Sequence, residues 1–283
     1  MMANGSIVSS GQSLPEGGWS WHGGSGAMIW QLMFADSGLL FGLKRFPEQR
    51  HASLFCLDSE TGRMLCDDFV LTGGADSAEP VGDGWMIGLE TTHRNLLFCH
   101  GFQPGSPEHQ GIWAVDLAEG TLAWGRPDVA FTANLGESVL AYKSRVFAGF
   151  PERDYFLIDP LTGREVEHIG TDPERFNALR NDAVGEEERQ GVVLPSAGMD
   201  EFGHLETIRL GGSTVTVMHR LVSGGGTENA WSSVLALNAG DRLLFEDTMG
   251  QAGAAPLFNN FLVRDQRLYY IKEREMLVSI DLS

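Results

Sequence analysis

The chain is short of positive charge. Against 38 Asp and Glu it carries 20 Lys and Arg, a formal net charge of −18 at pH 7. Nucleic-acid binding rests on basic side chains that neutralise phosphates, so this balance argues against a nucleic-acid partner. It argues equally against an anionic membrane surface, and it favours solubility and, weakly, a cationic partner. Cysteine is scarce: Cys56, Cys66 and Cys99 are odd in number and lack metal-ligand spacing. They read as small buried apolar residues of a reducing compartment, and a cytoplasmic location is expected. No apolar run approaches the roughly 18 residues of a membrane span. Met1–Gln12 has neither a positive start nor a long apolar stretch, so no secretory signal is visible. Catalytic signatures are missing too: there is no Gly-x-Ser-x-Gly elbow, no Gly-x-x-x-x-Gly-Lys phosphate loop and no His-Glu-x-x-His.

What the chain does have is a recurring phrase: an apolar run, an Asp or Asn, a turn, and a second apolar run. It reads Leu54-Phe-Cys-Leu-Asp58-Ser-Glu-Thr-Gly62-Arg-Met-Leu65, then Ile112-Trp-Ala-Val-Asp116-Leu-Ala-Glu-Gly120. It returns at Tyr155–Val166 around Asp159 and Gly163, at Val234–Phe245 around Asn238 and Gly240, and at Leu277–Asp281. Each copy is a β-hairpin in which the Asp side chain opens the turn and the Gly supplies a positive φ. Before each hairpin stand two more strands around a short polar turn. Those turns are 35–38, 92–95, 143–145, 211–213 and 265–267, with first strands expected at 29–34, 85–90, 137–142, 205–210 and 258–263. Taking Ser37, His93, Ser144, Gly212 and Gln266 as markers, the units recur 56, 51, 68 and 54 residues apart.

Repetition at this period means stacked or radially arranged units. Five four-stranded antiparallel units predict an all-β fold, a five-bladed β-propeller forming one domain over residues 1–283. The last unit lacks an outer strand, and the N-terminal segment is expected to supply it, through Ser6–Ser10 or Trp19–His22. Trp19, Trp21 and His22 then read as the anchor of that closing strand, because tryptophan buries a large area. Trp113 and Trp124 read as sheet-packing residues. The longest spacing predicts an insertion at about 171–200, a short helix with Asp172 as N-cap and Pro173 at the first helical position, followed by an acidic loop. A sixth, degraded blade in 165–205 is the rival reading; the absence of a hairpin phrase there favours five. Matching the first hairpin turn places Cys56 opposite Leu65 and Cys66 opposite Phe55, on opposite faces, so no bridge is expected between the two cysteines.

The turns Asp58-Ser-Glu-Thr61-Gly62-Arg63 and Asp159-Pro-Leu-Thr162-Gly163-Arg164 resemble the blade repeats of pyrroloquinoline-quinone-type propellers. Asp116 with Gly120 matches in part, and Asn238 with Gly240 loosely. The resemblance implies a propeller fold and carries no cofactor; the chain as a whole is similar to bacterial propellers of unknown function.

Candidate site residues come from the first strand of each unit, which in a propeller lines the axial channel. These are Gln31, Glu90, Glu137, Glu206, Asn259 and Asn260. Such polar groups suit a sugar, a cation or a polar peptide, or serve as structural hydrogen-bonding groups. The leading reading is a non-enzymatic binding or protein-interaction module, its partner an unknown protein or a small polar ligand. The alternative is a hydrolase of glycans using Glu137 and Glu206 as its paired carboxylates. Five-bladed propellers do host such enzymes, but the chain lacks their early Asn-Pro…Asp-Pro signature. His93, His100 and His109 cluster in the second unit and read as independent surface histidines. No metal and no cofactor is expected.

Overall fold

The computed structural model describes residues 13–283 except 75, 76, 104, 201, 202 and 224–228. Met1–Gln12, with the Ser6–Ser10 alternative for the closing strand, lies outside the described residues. The fold class is all-β, with five antiparallel sheets of four or five strands.

The strands follow the chain in order. β1 (Trp19–His22) comes first. β2 (Met28–Phe34), β3 (Leu39–Phe46), β4 (His51–Asp58) and β5 (Met64–Phe69) make the first sheet. The second holds β6 (Ile87–His93), β7 (Leu96–Phe102), β8 (His109–Asp116) and β9 (Thr121–Arg126). The third holds β10 (Ala130–Asn134), β11 (Val139–Phe147), β12 (Phe150–Ile158) and β13 (Glu165–Gly170). After it come α1 (Pro173–Asp182) and α2 (Glu186–Gln190). β14 (Val192–Val193) leads into the fourth sheet: β15 (Ser196–Asp200), β16 (Gly203–Leu210), β17 (Ser213–Ser223), β18 (Asn229–Ala239) and β19 (Arg242–Gly253). β20 (Phe261–Arg264), β21 (Arg267–Lys272) and β22 (Met276–Asp281) belong to the last sheet.

That last sheet runs β1-β22-β21-β20-β14. The N-terminal strand therefore fills the outer place, with Trp19 opposite Ser279 and His22 opposite Met276. Trp19 is buried and meets Tyr269 edge-on at 6.0 Å. Consecutive antiparallel sheets of four or five strands, the last built from both ends of the chain, are the strand topology of a five-bladed propeller.

Two compact units divide the described chain: Trp30–Gln190, and Gly191–Ser283 together with the residues before Trp30. In the Trp30–Gln190 unit one core gathers Phe41, Leu43, Leu54, Leu97, Trp113 and Val115, and a second gathers Phe98, Ile112, Val139, Phe156 and Ile158. In the other unit Val215, Leu235, Phe261, Tyr270 and Ile280 form the core. Burying each such side chain contributes about 1.5–3 kcal/mol.

The hairpin turns close as their residues dictate. Asp58 Oδ1 accepts from the Thr61 N–H at 2.8 Å and the Thr61 hydroxyl at 2.7 Å, and Gly62 turns the chain at φ +68°. Asp159 Oδ1 accepts from the Leu161 and Thr162 N–H groups and the Thr162 hydroxyl in the same way. Asp172 caps α1, its Oδ1 accepting from the Glu174 and Arg175 N–H groups. No helix among the described residues is long and apolar enough to cross a membrane.

Two local expectations are corrected. In the third sheet, Lys143-Ser-Arg145 lies inside β11 and is no turn. The real turn is Leu135–Ser138, where the Leu135 N–H donates to the Ser138 carbonyl at 2.9 Å, and the first strand is Ala130–Asn134. Polar residues continue the strand there because the outer half of β11 is exposed and has no core to face. In the first hairpin Cys56 stands directly opposite Cys66. The register slips at bulges on either side of Cys56, and each bulge shifts facing by one residue. The pair therefore shares a face, and both thiols are free.

Candidate functional site

A second repeat becomes visible once the strands are aligned. One strand in every sheet (β3, β7, β11, β17 and β21) carries a basic residue after a four-residue, mainly apolar run: Leu40–Lys44, Leu96–His100, Val139–Lys143, Val215–His219 and Leu268–Lys272. Each base meets a carboxylate. Lys44 lies 2.6 Å from Asp67 and 2.9 Å from Asp68, His100 2.9 Å from Glu90, and Lys143 3.0 Å from Asp128. His219 lies 3.0 Å from Glu206 and Lys272 2.7 Å from Asp247. Four of the five bases are buried, and Lys143 is half-buried. Buried ions persist only when paired and hydrogen-bonded. A pair present in every sheet is architectural, and function is to be sought where a sheet departs from it.

The fourth sheet departs by adding Ser233. Its Oγ lies 2.8 Å from His219 Nδ1 and accepts from the Leu257 N–H at 3.3 Å. At the other end His219 Nε2 lies 3.0 Å from Glu206 Oε2, and the Asn259 N–H donates to both Glu206 oxygens at 3.0 and 3.2 Å. All three side chains belong to buried residues. The chain is closed on protein groups at both ends and reads as a structural network.

The second sheet departs by adding His109. Glu90 stands at a bulge on β6, between the Leu89 and Thr91 pairings, and His100 at another, between the Cys99 and Gly101 pairings. Bulges re-aim side chains, and these two turn Glu90 and His100 toward each other. Gly88 makes room: a Cβ there would lie 2.6 Å from the His100 ring. His109 Nδ1 comes within 2.7 Å of the Glu90 oxygen that His100 Nδ1 approaches at 2.9 Å. The imidazoles stack with centroids 3.5 Å apart and planes 10° from parallel. Burial alone would push the Glu90 carboxyl up, but the two imidazoles outweigh it and hold it below its ordinary value. In turn the Glu90 bond holds the His109 imidazole above its usual range. The Glu90 and His100 side chains are 8% and 3% exposed and that of His109 41%, so His109 is the solvent-facing member. Glu90 lies off the N–H direction of His100, and neither ring nitrogen of His100 has an aligned hydrogen-bond partner. Leaving a buried polar group so costs about 1–3 kcal/mol.

Next in sequence to His109, Glu108 lines a cavity of about 650 Å³ together with Arg153, Tyr155, Thr171, Phe176 and Asn177. Tyr155 and Phe176 stack with centroids 4.0 Å apart. Burial raises the Tyr142 hydroxyl pKa; Arg153 opposes it, and Glu108, Tyr155 and then Glu90 add to the rise, so both carboxylates act on the same side chain.

Of the residues singled out from sequence, Gln31 and Glu90 stand on first strands, whereas Glu206 stands on β16, which pairs with the additional strand β15 and is second in its sheet. Gln31 is half-buried and accepts from the Leu89 N–H at 3.1 Å. Glu137, Asn259 and Asn260 do not stand on strands: Glu137 is exposed in the 135–138 turn, and the two asparagines precede β20. The register error in the third sheet displaced Glu137, and Asn259 at φ +54° shows why a turn holds that pair. His100 and His109 are not independent surface residues but share Glu90; among the described residues only Glu90, His100 and His109 gather as potential metal ligands, without His93. The basic residue closing the apolar run in each sheet, which sequence reasoning missed, was readable as a fifth-position repeat.

Residues 35–124, under half of the chain, match the family model described as "Domain of unknown function (DUF4905)". No curated protein matches the chain. Among solved structures it is similar to the acylaminoacyl peptidase of Pyrococcus horikoshii, at 10% identity and a TM-score of 0.30 over 87% of this chain and 36% of that one. The chain thus spans about a third of that relative's length. It is also similar to the β-propeller domain of the Trilobed protease of Pyrococcus furiosus, at 12% identity and a TM-score of 0.30 over 82% and 69% of the two chains. A third likeness is to a structure from the GH130 family of mannoside phosphorylases, at 10% identity and a TM-score of 0.33 over 91% and 85%. These likenesses carry no argument about substrate or activity.

Proposed function

We propose that the chain is a binding module without chemistry of its own, and that its ligand is a small polar molecule held in the cavity between α1 and the β11–β12 hairpin. The supporting observation is the cavity itself, about 650 Å³, built where the insertion meets a sheet. That volume suits a small ligand, and the lining mixes an aromatic stack with a few charged and amide groups that fix orientation. Glu108, Glu152, Arg153 and Asn177 offer both signs of charge and an amide, beside the Tyr155–Phe176 pair. The blade turns around Asp58 and Asp159 resemble those of quinone-type propellers, and no quinone is carried over with them. Glycan hydrolysis by Glu137 and Glu206 gains no support from their surroundings. Glu206 has both oxygens engaged by protein groups, and neither residue lines this cavity.

Thermal-shift screening of the chain against sugars, polyols, amino acids and small amines tests the proposal. A true ligand at 100 times its Kd adds about 2.7 kcal/mol of stability. Phe176→Ala and Arg153→Ala should abolish the shift while leaving the ligand-free midpoint nearly unchanged, because neither side chain belongs to a core cluster. An equal shift in both variants places the ligand elsewhere, and turnover of nitrophenyl glycosides would favour the hydrolase.

A further inference from the structure

We propose that Glu90, His100 and His109 form a binding site for a divalent transition-metal cation of the Zn²⁺ type. One atom each from the three side chains lies within 4.8 Å of the others. The two Nδ1 atoms approach one Glu90 oxygen at 2.9 and 2.7 Å. Zinc binds imidazole nitrogen and carboxylate oxygen at about 2.0–2.2 Å, so a cation among these atoms reaches all three after small movements.

The second observation is His100. Its residue is 2% exposed, yet both ring nitrogens lack an aligned hydrogen-bond partner. An imidazole nitrogen without a hydrogen-bond partner is available to a metal, and Nδ1 is the nitrogen that stands 2.9 Å from Glu90. Parallel rings do not both point at one cation, so one ring must turn. His109 is the one with room to do so: its side chain is 41% exposed against 3% for His100, and although Phe102 meets both rings, Gly88 is packed against that of His100. The ligands come from three neighbouring strands of one sheet, Glu90 and His100 aimed by bulges and His109 from the start of β8, a rigid platform for a site.

The donor set selects the metal class. Two nitrogens and one carboxylate oxygen suit borderline cations, and magnesium and calcium prefer all-oxygen sites. Three protein ligands leave a further position for water or a bound group. Zinc beside one carboxylate and two neutral imidazoles leaves a net local charge of +1, which a chain of net charge −18 favours at long range.

The test uses tag-free full-length protein and the metal alone. After chelator treatment and dialysis, titration calorimetry with Zn²⁺ should show one equivalent per chain. Co²⁺ should give visible bands of a nitrogen- and oxygen-ligated ion, and Mg²⁺ and Ca²⁺ should give no heat. His109→Ala, at a part-exposed position, should keep its circular dichroism and weaken Zn²⁺ binding at least tenfold. As a check that needs no variant, Zn²⁺ should shift the proton NMR signals of two histidines in the wild type and no others. No saturable Zn²⁺ binding, equal affinity in His109→Ala, or shifts confined to other histidines would overturn the proposal. Failure here leaves the cavity reading standing, because Phe176 and Arg153 touch none of the three ligands.

Discussion

At the scale of single residues, the paired bases differ in what surrounds their carboxylates, and this sets the cost of breaking them. Glu206 is 2% exposed and serves His219 and the Asn259 N–H at once. In Glu206→Gln the amide NH₂ takes the place of one acceptor, so the charge-assisted bonds are lost and His219 must exchange its ring proton to keep a partner. The expected loss is about 1–3 kcal/mol by urea denaturation, larger than the near-neutral effect that a water-lined position would give. Lys44 presents the opposite case. Asp67 and Asp68 are 26% and 67% exposed and can rehydrate when the lysine is gone. Lys44→Met, of similar volume, should stay within about 1 kcal/mol of the wild type. Thiols give a pH dependence. Burial, helped by the neighbouring Cys66 and nearby acids, pushes the Cys56 thiol up to about 12 from an ordinary 9.0. Its neutral form is favoured in the fold, so the associated stability is complete below about pH 9 and is lost as pH rises toward 12. At pH 8 Ellman's reagent should react slowly with the native protein. After unfolding without reductant it should count three thiols; finding one would mean that Cys56 and Cys66, which face each other, have bridged.

At the scale of elements, β1 carries the most testable claim. It supplies the outer strand of the last sheet, and Trp19 at its start is 8% exposed against Tyr269. Trp19→Ala should cost about 3 kcal/mol and lower the thermal midpoint by several degrees. Removing β1 altogether bares the edge of β22 and should add concentration-dependent aggregation. An unchanged midpoint in both variants would count against closure by this strand. The hairpins were legible in the sequence because Asp58, Asp116 and Asp159 bind the backbone two or three residues on, a purely local event. The cap of α1 was legible for the same reason. The third sheet was not: Lys143-Ser-Arg145 has turn composition, and only its pairing with Asp154, Arg153 and Glu152 of β12 makes it strand. The Cys56–Cys66 register was hidden by two bulges, which leave no mark in the apolar pattern. The site was half legible. Glu90 was found from its strand, but its meeting with His100 and His109 depends on bulges at Glu90 and His100 and on the space left by Gly88, and each is visible only in three dimensions.

At the scale of the whole molecule the net charge of −18 is the dominant uncompensated quantity. Lys44 and Lys272 are buried against their own Asp partners, so they do little to offset the acidic groups that remain at the surface. Like charges spread over one chain repel in the compact state and are relieved by unfolding. Salt screens that repulsion, the Debye length falling from about 10 Å at 0.1 M to about 3 Å at 1 M. It also weakens exposed ion pairs such as Arg145–Glu152, but these contribute only about 0–1 kcal/mol each. Buried pairs are screened much less, so the pairs that order each sheet survive. The balance favours the fold: raising NaCl from 0.1 to 1 M at pH 7 should raise the thermal midpoint by a few degrees. Chloride keeps the comparison electrostatic, because sulfate would strengthen apolar burial by itself. The same increase should be smaller at pH 5, where the net negative charge is close to vanishing near the sequence pI of about 4.7. A midpoint that falls with NaCl at pH 7 would mean that attractive surface pairs outweigh the excess of acid.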